Sequence, residues 1–144
     1  MQKKRTAMMA VGMTNFMWEK CNRMEAARLG VPESYIKIIL FLTRKPGAGQ
    51  REIAEFSHVS TAAVNQTVKE MLAAGFLRKE ADETDKRRSH LYLSEKGAEV
   101  SERMRQSFET RDRRITAALT PEKERELISM LDTLRACLEE ETLC

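Results

Sequence analysis

The sequence predicts a mainly α-helical domain with one small β-hairpin, an α+β fold. Two features of the composition favour helix over sheet: the 144 residues include only 6 Gly and 3 Pro, and only 6% are aromatic. An all-β sandwich or barrel needs more turn residues and more aromatic side chains. A chain of this length suits a single domain, because it leaves little room for two independent hydrophobic cores.

The composition is typical of a globular protein that works outside the membrane. Hydrophobic residues make up 42% of the chain and charged residues 33%, which is too polar for a membrane protein and too apolar for a disordered one. The basic residues Lys3, Lys4 and Arg5 are not followed by a signal-peptide pattern, so we expect a cytoplasmic protein with no membrane partner. The net charge of +3 permits a nucleic-acid partner without requiring one.

Apolar side chains recur at helical spacing through residues 6–29, which predicts a long amphipathic helix that ends near Gly30. A second helix follows, since Pro32 suits a first helical turn and residues 45–49 form a Pro- and Gly-containing loop. The buried face of this second helix is predicted to contain Ile36, Ile39, Leu40 and Phe41.

Two short helices joined by a tight turn are predicted next, over residues 50–56 and 61–74. Ser60 is the expected N-cap of the second of these helices, and Gly75 follows its last residue. This arrangement matches a helix-turn-helix. Helical spacing places Val64, Val68 and Met71 of the second helix in the core, so the rest of that helix faces outward or lies at the boundary.

A β-hairpin and two long helices complete the prediction. Strands are expected at residues 76–80 and 89–93, on either side of a charged turn. Ser94 then caps a helix that runs to about residue 118, and Thr120 with Pro121 begins the last helix. Leucines on that helix follow a coiled-coil-like seam. They are Leu127, Leu131, Leu134 and Leu138.

This order of elements is that of a winged helix-turn-helix with helical flanks. The motif Asp85-x-Arg87, followed after five residues by Leu93-Ser94-x-x-Gly97, closely resembles the wing signature of the multiple-antibiotic-resistance regulator (MarR) family. Further residues fall at the family's usual offsets, namely Gln50, Ile53, Ala54, Val59, Ser60, Val64, Gly75, Phe76 and Leu77. The resemblance implies one MarR-like domain over residues 1–144. Its winged helix-turn-helix core would be 32–97, and its dimerisation helices 6–30 and 98–142.

The resemblance implies a dimeric, sequence-specific DNA-binding transcription regulator that acts as a repressor and is relieved by a small aromatic or phenolic ligand. An arginine at a hairpin tip can enter a narrow minor groove, where the negative potential is enhanced. By resemblance Arg87 is the inserted residue, Asp85 its structural partner, and Lys86 and Arg88 contact phosphate. Asp85 is close enough in sequence to hold the side chain of Arg87. A solvated turn with charges of both signs is the alternative that composition alone favours.

On the second helix of the helix-turn-helix, amide side chains are the candidates for reading bases. Asn65 and Gln66 can each pair with adenine in the major groove, so we expect an A·T-rich site. Neighbouring side chains of the helix are expected to contact phosphates, and its alanines are expected to contact thymine methyl groups. The predicted DNA-binding residues here are Ser60, Thr61, Ala62, Ala63, Asn65, Gln66 and Lys69. Residues 50–97 contain eight basic and eight acidic residues, so a basic face depends on how the fold separates them.

Family members are often inactivated by ligands that bind between the dimerisation helices and the winged domain. By resemblance, such a pocket would be lined by Met13, Phe16, Met17, Trp18, Tyr35 and Ile39. A methionine-rich core is the plainer interpretation of each of these residues. Some relatives sense oxidants through a cysteine on the first helix, so a redox-sensing repressor acting through Cys21 is an alternative.

A helix-turn-helix protein that reads a palindrome needs a two-fold partner. The apolar first and last helices are the natural elements of a homodimer, unless both pack only on their own domain. A winged-helix protein-interaction module is the second class of function, and the balanced charge would suit it. An enzyme is not expected, because the sequence shows no catalytic constellation, phosphate loop or metal cluster. We therefore expect no cofactor and no metal. His58 is expected in a turn, and His90 in a strand or at a phosphate.

Overall fold

The computed structural model describes residues 4–57 and 59–143, which form six helices and a two-stranded antiparallel sheet. The elements are α1 (Ala7–Leu29), α2 (Glu33–Arg44), α3 (Gln50–Ser57), α4 (Thr61–Ala73), β1 (Leu77–Ala81), β2 (Ser89–Leu93), α5 (Glu95–Thr116) and α6 (Pro121–Thr142). The predicted α+β class is confirmed, and every predicted element is present within two residues of its expected bounds. In this part of the chain, no helix has the length and apolarity needed to cross a bilayer.

The chain divides into two compact units, Met1–Met104 and Arg105–Cys144. The first unit contains α1 to α4, the β-hairpin and the beginning of α5. The second contains the remainder of α5 and α6. The predicted winged helix-turn-helix segment, residues 32–97, therefore lies wholly in the first unit.

Capping residues set the helix boundaries. The Ser60 hydroxyl accepts a hydrogen bond from the backbone N–H three residues later at 3.2 Å, and Gly75 follows α4 with a φ of 80°. Thr120 caps α6 in the same way. Pro32 differs from the prediction: it is the N-cap of α2, and the helix begins one residue later, at Glu33. Pro32 has a ψ of 143°, so its extended backbone lies before the first turn.

The core of the first unit is formed by side chains from α2, α3, α4, β2 and α5. The largest fully buried side chains are Ile39, Leu42, Ile53, Val68, Met71, Leu91 and Met104. The predicted core positions of α4 are all buried, so the helix is fixed by its inner face. Leu40, predicted on the buried face of α2, is only half-buried, because it lines a groove between α1, α2 and α3.

Large apolar side chains on α1 and α6 remain exposed. On α1 they are Met8, Met9, Met13, Phe16, Met17, Trp18 and Met24, and on α6 they are Leu127, Ile128, Met130, Leu131 and Leu138. No residue of α6 is buried within Pro121–Thr142. Isolated exposed apolar residues are ordinary, whereas contiguous apolar faces mark interaction surfaces.

Candidate nucleic-acid interface

The outer face of α4 is one half of the candidate interface. Because Val64, Val68 and Met71 anchor the inner face in the core, the opposite face is turned to solvent. Every predicted DNA-binding position on or next to this helix is exposed, namely Ser60, Thr61, Ala62, Ala63, Asn65, Gln66 and Lys69. The Ser60 hydroxyl already caps the helix; the remaining positions present short or polar side chains to solvent.

The two amide side chains on this face differ in their bonding. Gln66 donates from Nε2 to Glu70 Oε1 at 2.8 Å, one turn further along α4. Within the described residues, the Asn65 side chain makes no hydrogen bond. A primary amide has two N–H donors and one carbonyl acceptor. Both side chains therefore keep the donor and the acceptor that a bidentate contact with adenine requires.

The turn between β1 and β2 is the second half of the candidate interface, and an aspartate organises it. Asp82 Oδ1 accepts hydrogen bonds from the Thr84 hydroxyl at 2.7 Å, the Thr84 N–H at 2.8 Å and the Asp85 N–H at 2.9 Å. These bonds hold the pKa of Asp82 well below its usual range, with the Thr84 hydroxyl as the largest cause. An ionised Asp82 thus fixes the backbone of the wing tip.

Asp85 has a different bonding partner from the one predicted. Its Oδ1 accepts the backbone N–H of Arg87 at 3.0 Å, and its Oδ2 lies 3.6 Å from Nε of Arg88. A carboxylate that closes a turn onto the N–H two residues later lies against the backbone. It therefore orients the main chain of Arg87 and not the guanidinium. The Arg87 side chain is exposed and forms no ion pair among the described residues.

The sequence did not indicate that Asp82 and His90 form a pair. His90, on β2, has its Nδ1 2.7 Å from the carbonyl oxygen of Gly47 and its Nε2 2.8 Å from Asp82 Oδ2. The bond to Gly47 and then the bond to Asp82 raise the pKa of His90. His90 lies in a strand, which was one of the two alternatives predicted for it. Its side chain bonds to Asp82 of the wing turn and does not point outward to a phosphate. His58, Lys3 and Cys144 lie outside the described residues.

The serine and glycine of the wing motif connect the base of the hairpin to the end of α4. Ser94 donates its N–H to the Phe76 carbonyl at 3.0 Å and its hydroxyl to the Gly75 carbonyl at 2.5 Å. Its Oγ also accepts the Gly97 N–H at 3.1 Å, capping α5. A Cβ at Gly97 would lie 2.3 Å from the Phe76 carbonyl oxygen. Only glycine allows α5 to begin this close to the hairpin.

Several of the charged side chains in residues 50–97 form ion pairs with close neighbours. The acidic side chains with a basic partner are Glu52 with Lys45, Glu55 with Arg51, Glu80 with Arg78, Asp82 with His90, and Asp85 with Arg88. Within the described part of this range, the basic side chains without an acidic partner are Lys69, Lys79, Lys86, Arg87 and Lys96. Among the same described residues, Glu70, Glu83 and Glu95 have no basic partner. The unpaired basic side chains on α4 and the hairpin therefore outnumber the unpaired acidic ones only slightly.

The predicted ligand-pocket residues lie in two environments. Met13, Phe16 and Met17 are exposed on α1, whereas Tyr35 and Ile39 are buried in α2. The groove of about 300 Å³ between α1, α2 and α3 is lined by other residues. They are Glu19, Asn22, Glu33, Ile36, Lys37, Leu40, Phe41, Arg44, Phe56 and Ser57.

The cysteines and other potential metal ligands are dispersed. Cys21 is half-buried on α1, and Cys137 is exposed on α6. Residues 4–57 and 59–143 contain no group of three His, Cys, Asp or Glu side chains that could hold a metal ion.

Known proteins share both the sequence pattern and the fold. A model of the MarR family matches residues 29–88. The HTH-type transcriptional regulator BilQ of Clostridium symbiosum (strain WAL-14163) is 26% identical over 112 residues, which cover 78% of each protein.

Two solved structures superpose on nearly the whole chain. The transcriptional regulator SlyA has a TM-score of 0.79 at 20% identity, covering 94% of this chain and 96% of its own. Streptococcus pneumoniae FabT, solved in complex with DNA, has a TM-score of 0.81 at 15% identity, covering 94% of this chain and 99% of its own. Residues 29–88 of the chain are thus similar to the MarR family, and the fold of the chain is that of the transcriptional regulator SlyA and of FabT.

Proposed function

We propose that this protein is a dimeric, sequence-specific repressor that reads an A·T-rich inverted repeat with α4 and the wing. The observation that most supports this proposal is that Asn65 on α4 and Arg87 at the wing tip are exposed and uncommitted among the described residues. The fold of FabT, which was solved with DNA, is shared by this chain. Binding of operator DNA by this chain is our inference.

In the proposed complex, α4 lies in the major groove and reads base edges. Asn65 and Gln66 each contact adenine. The Gln66 side chain is oriented by the hydrogen bond from its Nε2 to the Glu70 carboxylate. The small side chains of Ala62 and Ala63 allow the start of α4 to approach thymine methyl groups. Lys69 neutralises a phosphate, so its contribution is independent of sequence.

The wing contributes a second contact, in the minor groove. Arg87 enters the groove, where its guanidinium favours the enhanced negative potential of A·T-rich sequence. Lys86 and Arg88 contact the flanking phosphates. Arg88 has only a long contact of 3.6 Å with Asp85, and its side chain is 77% exposed. Exchanging such a surface pair for a phosphate costs little.

The dimer is proposed to form through the exposed apolar faces of α1 and α6. A second copy would remove these side chains from water, which is the dominant driving force of association. Two-fold symmetry then places two α4 helices on half-sites about one helical turn apart. The operator is accordingly expected to be an inverted repeat.

Relief of repression by a small aromatic or phenolic compound is the finer part of the proposal and is drawn from the family resemblance. Met13, Phe16 and Met17 would line the ligand site from α1, and Tyr35 and Ile39 from α2. Methionine side chains adapt to ligands of different shape. Phenol and benzoate should therefore release a bound duplex, and failure of both to do so at millimolar concentration would count against this assignment.

The wing assignment is tested by measuring the affinity of Arg87→Ala for a labelled duplex by fluorescence anisotropy. We expect a loss of about fivefold to 150-fold, since a side chain that contacts bases contributes about 1–3 kcal/mol. Arg28→Ala is the matched control, because it removes the same charge from the last turn of α1. Light scattering checks that both variants keep the mass of the wild type. Unchanged affinity in Arg87→Ala would rule out minor-groove insertion.

A further inference from the structure

We propose that His90 is a positioning residue for the wing and that its protonation makes DNA binding by this chain stronger at acidic than at alkaline pH. The inference rests on the proposed function, because it concerns the regulation of the same site. It is drawn from three bonded groups: the Gly47 carbonyl, the His90 imidazole and the Asp82 carboxylate. We call these three groups the wing latch.

The geometry of the wing latch requires a protonated imidazole. Nδ1 lies 2.7 Å from the Gly47 carbonyl oxygen, and Nε2 lies 2.8 Å from Asp82 Oδ2. A carbonyl oxygen and an ionised carboxylate can only accept hydrogen bonds. A neutral imidazole has a single N–H, so it can satisfy one of these acceptors and not both. Loss of the proton therefore breaks one of the two bonds.

The loop at one end of the latch is fixed to the sheet. Gly47 donates its N–H to the Leu91 carbonyl at 2.8 Å, and Leu91 donates its N–H to the Ala48 carbonyl at 3.1 Å. A Cβ at Gly47 would lie 2.9 Å from the Tyr92 hydroxyl oxygen, so the loop is in close contact with β2. The Gly47 carbonyl is thus a stationary anchor for the histidine.

At the other end, the latch continues to the DNA-contacting residue. Asp82 uses Oδ2 for His90 and Oδ1 for the N–H groups of Thr84 and Asp85. Asp85 in turn accepts the backbone N–H of Arg87 at 3.0 Å. An unbroken series of hydrogen bonds therefore runs from the fixed loop to the residue that we place in the minor groove. Loss of either bond of His90 disconnects this series from the fixed loop, so the turn is then held only by the hairpin itself.

The charges around His90 favour the protonated form. Asp82 faces it from the turn, and Glu80 is its partner across the hairpin on β1; both carboxylates raise the pKa of His90. Glu52 of α3 and Lys45 also lie nearby, and their charges offset each other in an ion pair.

The sign of the pH dependence follows from the direction of the shift. Hydrogen bonds to Gly47 and Asp82 raise the pKa of His90 above an ordinary histidine value of about 6.5. A raised pKa means that the latch is complete below about pH 6.5 and is lost as the pH rises through the pKa of the folded protein. DNA affinity is therefore expected to fall with rising pH.

The test compares DNA affinity across pH 5.5 to 8.5, at constant ionic strength, for the wild type and three variants. His90→Gln and Asp82→Asn each remove the charged pair, while His58→Gln changes the chain's other histidine. We expect wild-type affinity to fall about threefold to tenfold over this range, the effect of losing a hydrogen bond. His58→Gln should keep that slope, whereas His90→Gln and Asp82→Asn should be flat and weak throughout. Circular dichroism checks that the variants are folded.

A second readout is independent of DNA. The two imidazoles can be titrated by NMR, with His58→Gln assigning the remaining signal to His90. We expect the pKa of His90 to lie above 6.5 and to fall in Asp82→Asn, with the amide signal of Arg87 changing along the same titration. An ordinary pKa that is unaffected by Asp82→Asn would overturn the latch.

The outcomes separate the two proposals. Wild-type affinity that is the same from pH 5.5 to 8.5 overturns the pH coupling and leaves the proposed function intact. The same slope in His90→Gln as in the wild type also overturns the coupling. Failure of the wild type to bind duplex DNA at every pH overturns the proposed function together with this inference.

Discussion

Substitution of Gly97 by alanine should destabilise the protein, although alanine is the better helix former. Gly97 lies in the first turns of α5, where its Cβ would be 2.3 Å from the Phe76 carbonyl oxygen; non-bonded heavy atoms pack about 3.5 Å apart. The carbonyl cannot easily retreat. It accepts the Ser94 N–H at 3.0 Å, and the N–H of Phe76 is bound to the Met71 carbonyl at 2.9 Å.

The expected magnitude is the balance of three effects. Forcing a methyl group into a filled site costs about 1–3 kcal/mol, and loss of the Ser94–Phe76 hydrogen bond costs about 1 kcal/mol. The higher helix propensity of alanine returns about 1 kcal/mol. The free energy of unfolding of Gly97→Ala should therefore be lower by about 2 kcal/mol, and its Tm lower by about 6 °C.

Urea denaturation followed by circular dichroism measures this difference, with Gly12→Ala as the matched control. Gly12 lies within α1, and a Cβ there would meet no atom within 4 Å. The same chemical change should raise the free energy of unfolding by up to about 1 kcal/mol at that position. If Gly97→Ala were as stable as the wild type or more so, the close approach of α5 to the hairpin would be wrong.

Three further predictions concern the end of the hairpin, the core beneath α4 and the dimer. Ser94→Ala removes the α5 cap and the bond to the Gly75 carbonyl, so urea denaturation should show a loss of about 1–2 kcal/mol; a neutral result would refute the cap. Met71→Ala leaves a cavity in a fully buried site and should cost about 2–5 kcal/mol by the same assay, and a cost below 1 kcal/mol would contradict its burial. Leu131→Arg on the exposed face of α6 should convert a dimer to a monomer in light scattering, whereas Lys123→Ala on the same helix should leave the dimer intact. A Leu131→Arg protein that stayed dimeric would exclude α6 from the interface.

Elements that depend on local sequence could be predicted. The spacing of Val64, Val68 and Met71 identified the inner face of α4, because helical periodicity is a property of neighbouring residues. Ser60 as N-cap and Gly75 after the helix were equally local signals. The outward positions of Asn65 and Gln66 followed from the same periodicity.

Features that depend on distant segments could not be predicted in this way. The Gly47 carbonyl meets His90 only because the 45–49 loop lies beside β2, 43 residues later in the chain. Asp85 is two residues from Arg87, and spacing alone could not distinguish a contact with its guanidinium from a contact with its N–H. The groove that leaves Leu40 half-buried is formed by three helices. Its exposure is therefore a tertiary property.

The central claim, that α4 and the wing together read operator DNA, is tested most directly by selection of random duplex DNA with the reduced, purified protein, followed by sequencing of the retained duplexes. We expect enrichment of an A·T-rich inverted repeat with half-sites about one helical turn apart, and loss of that enrichment in Arg87→Ala. A folded, dimeric wild-type protein that enriches no sequence would contradict the claim.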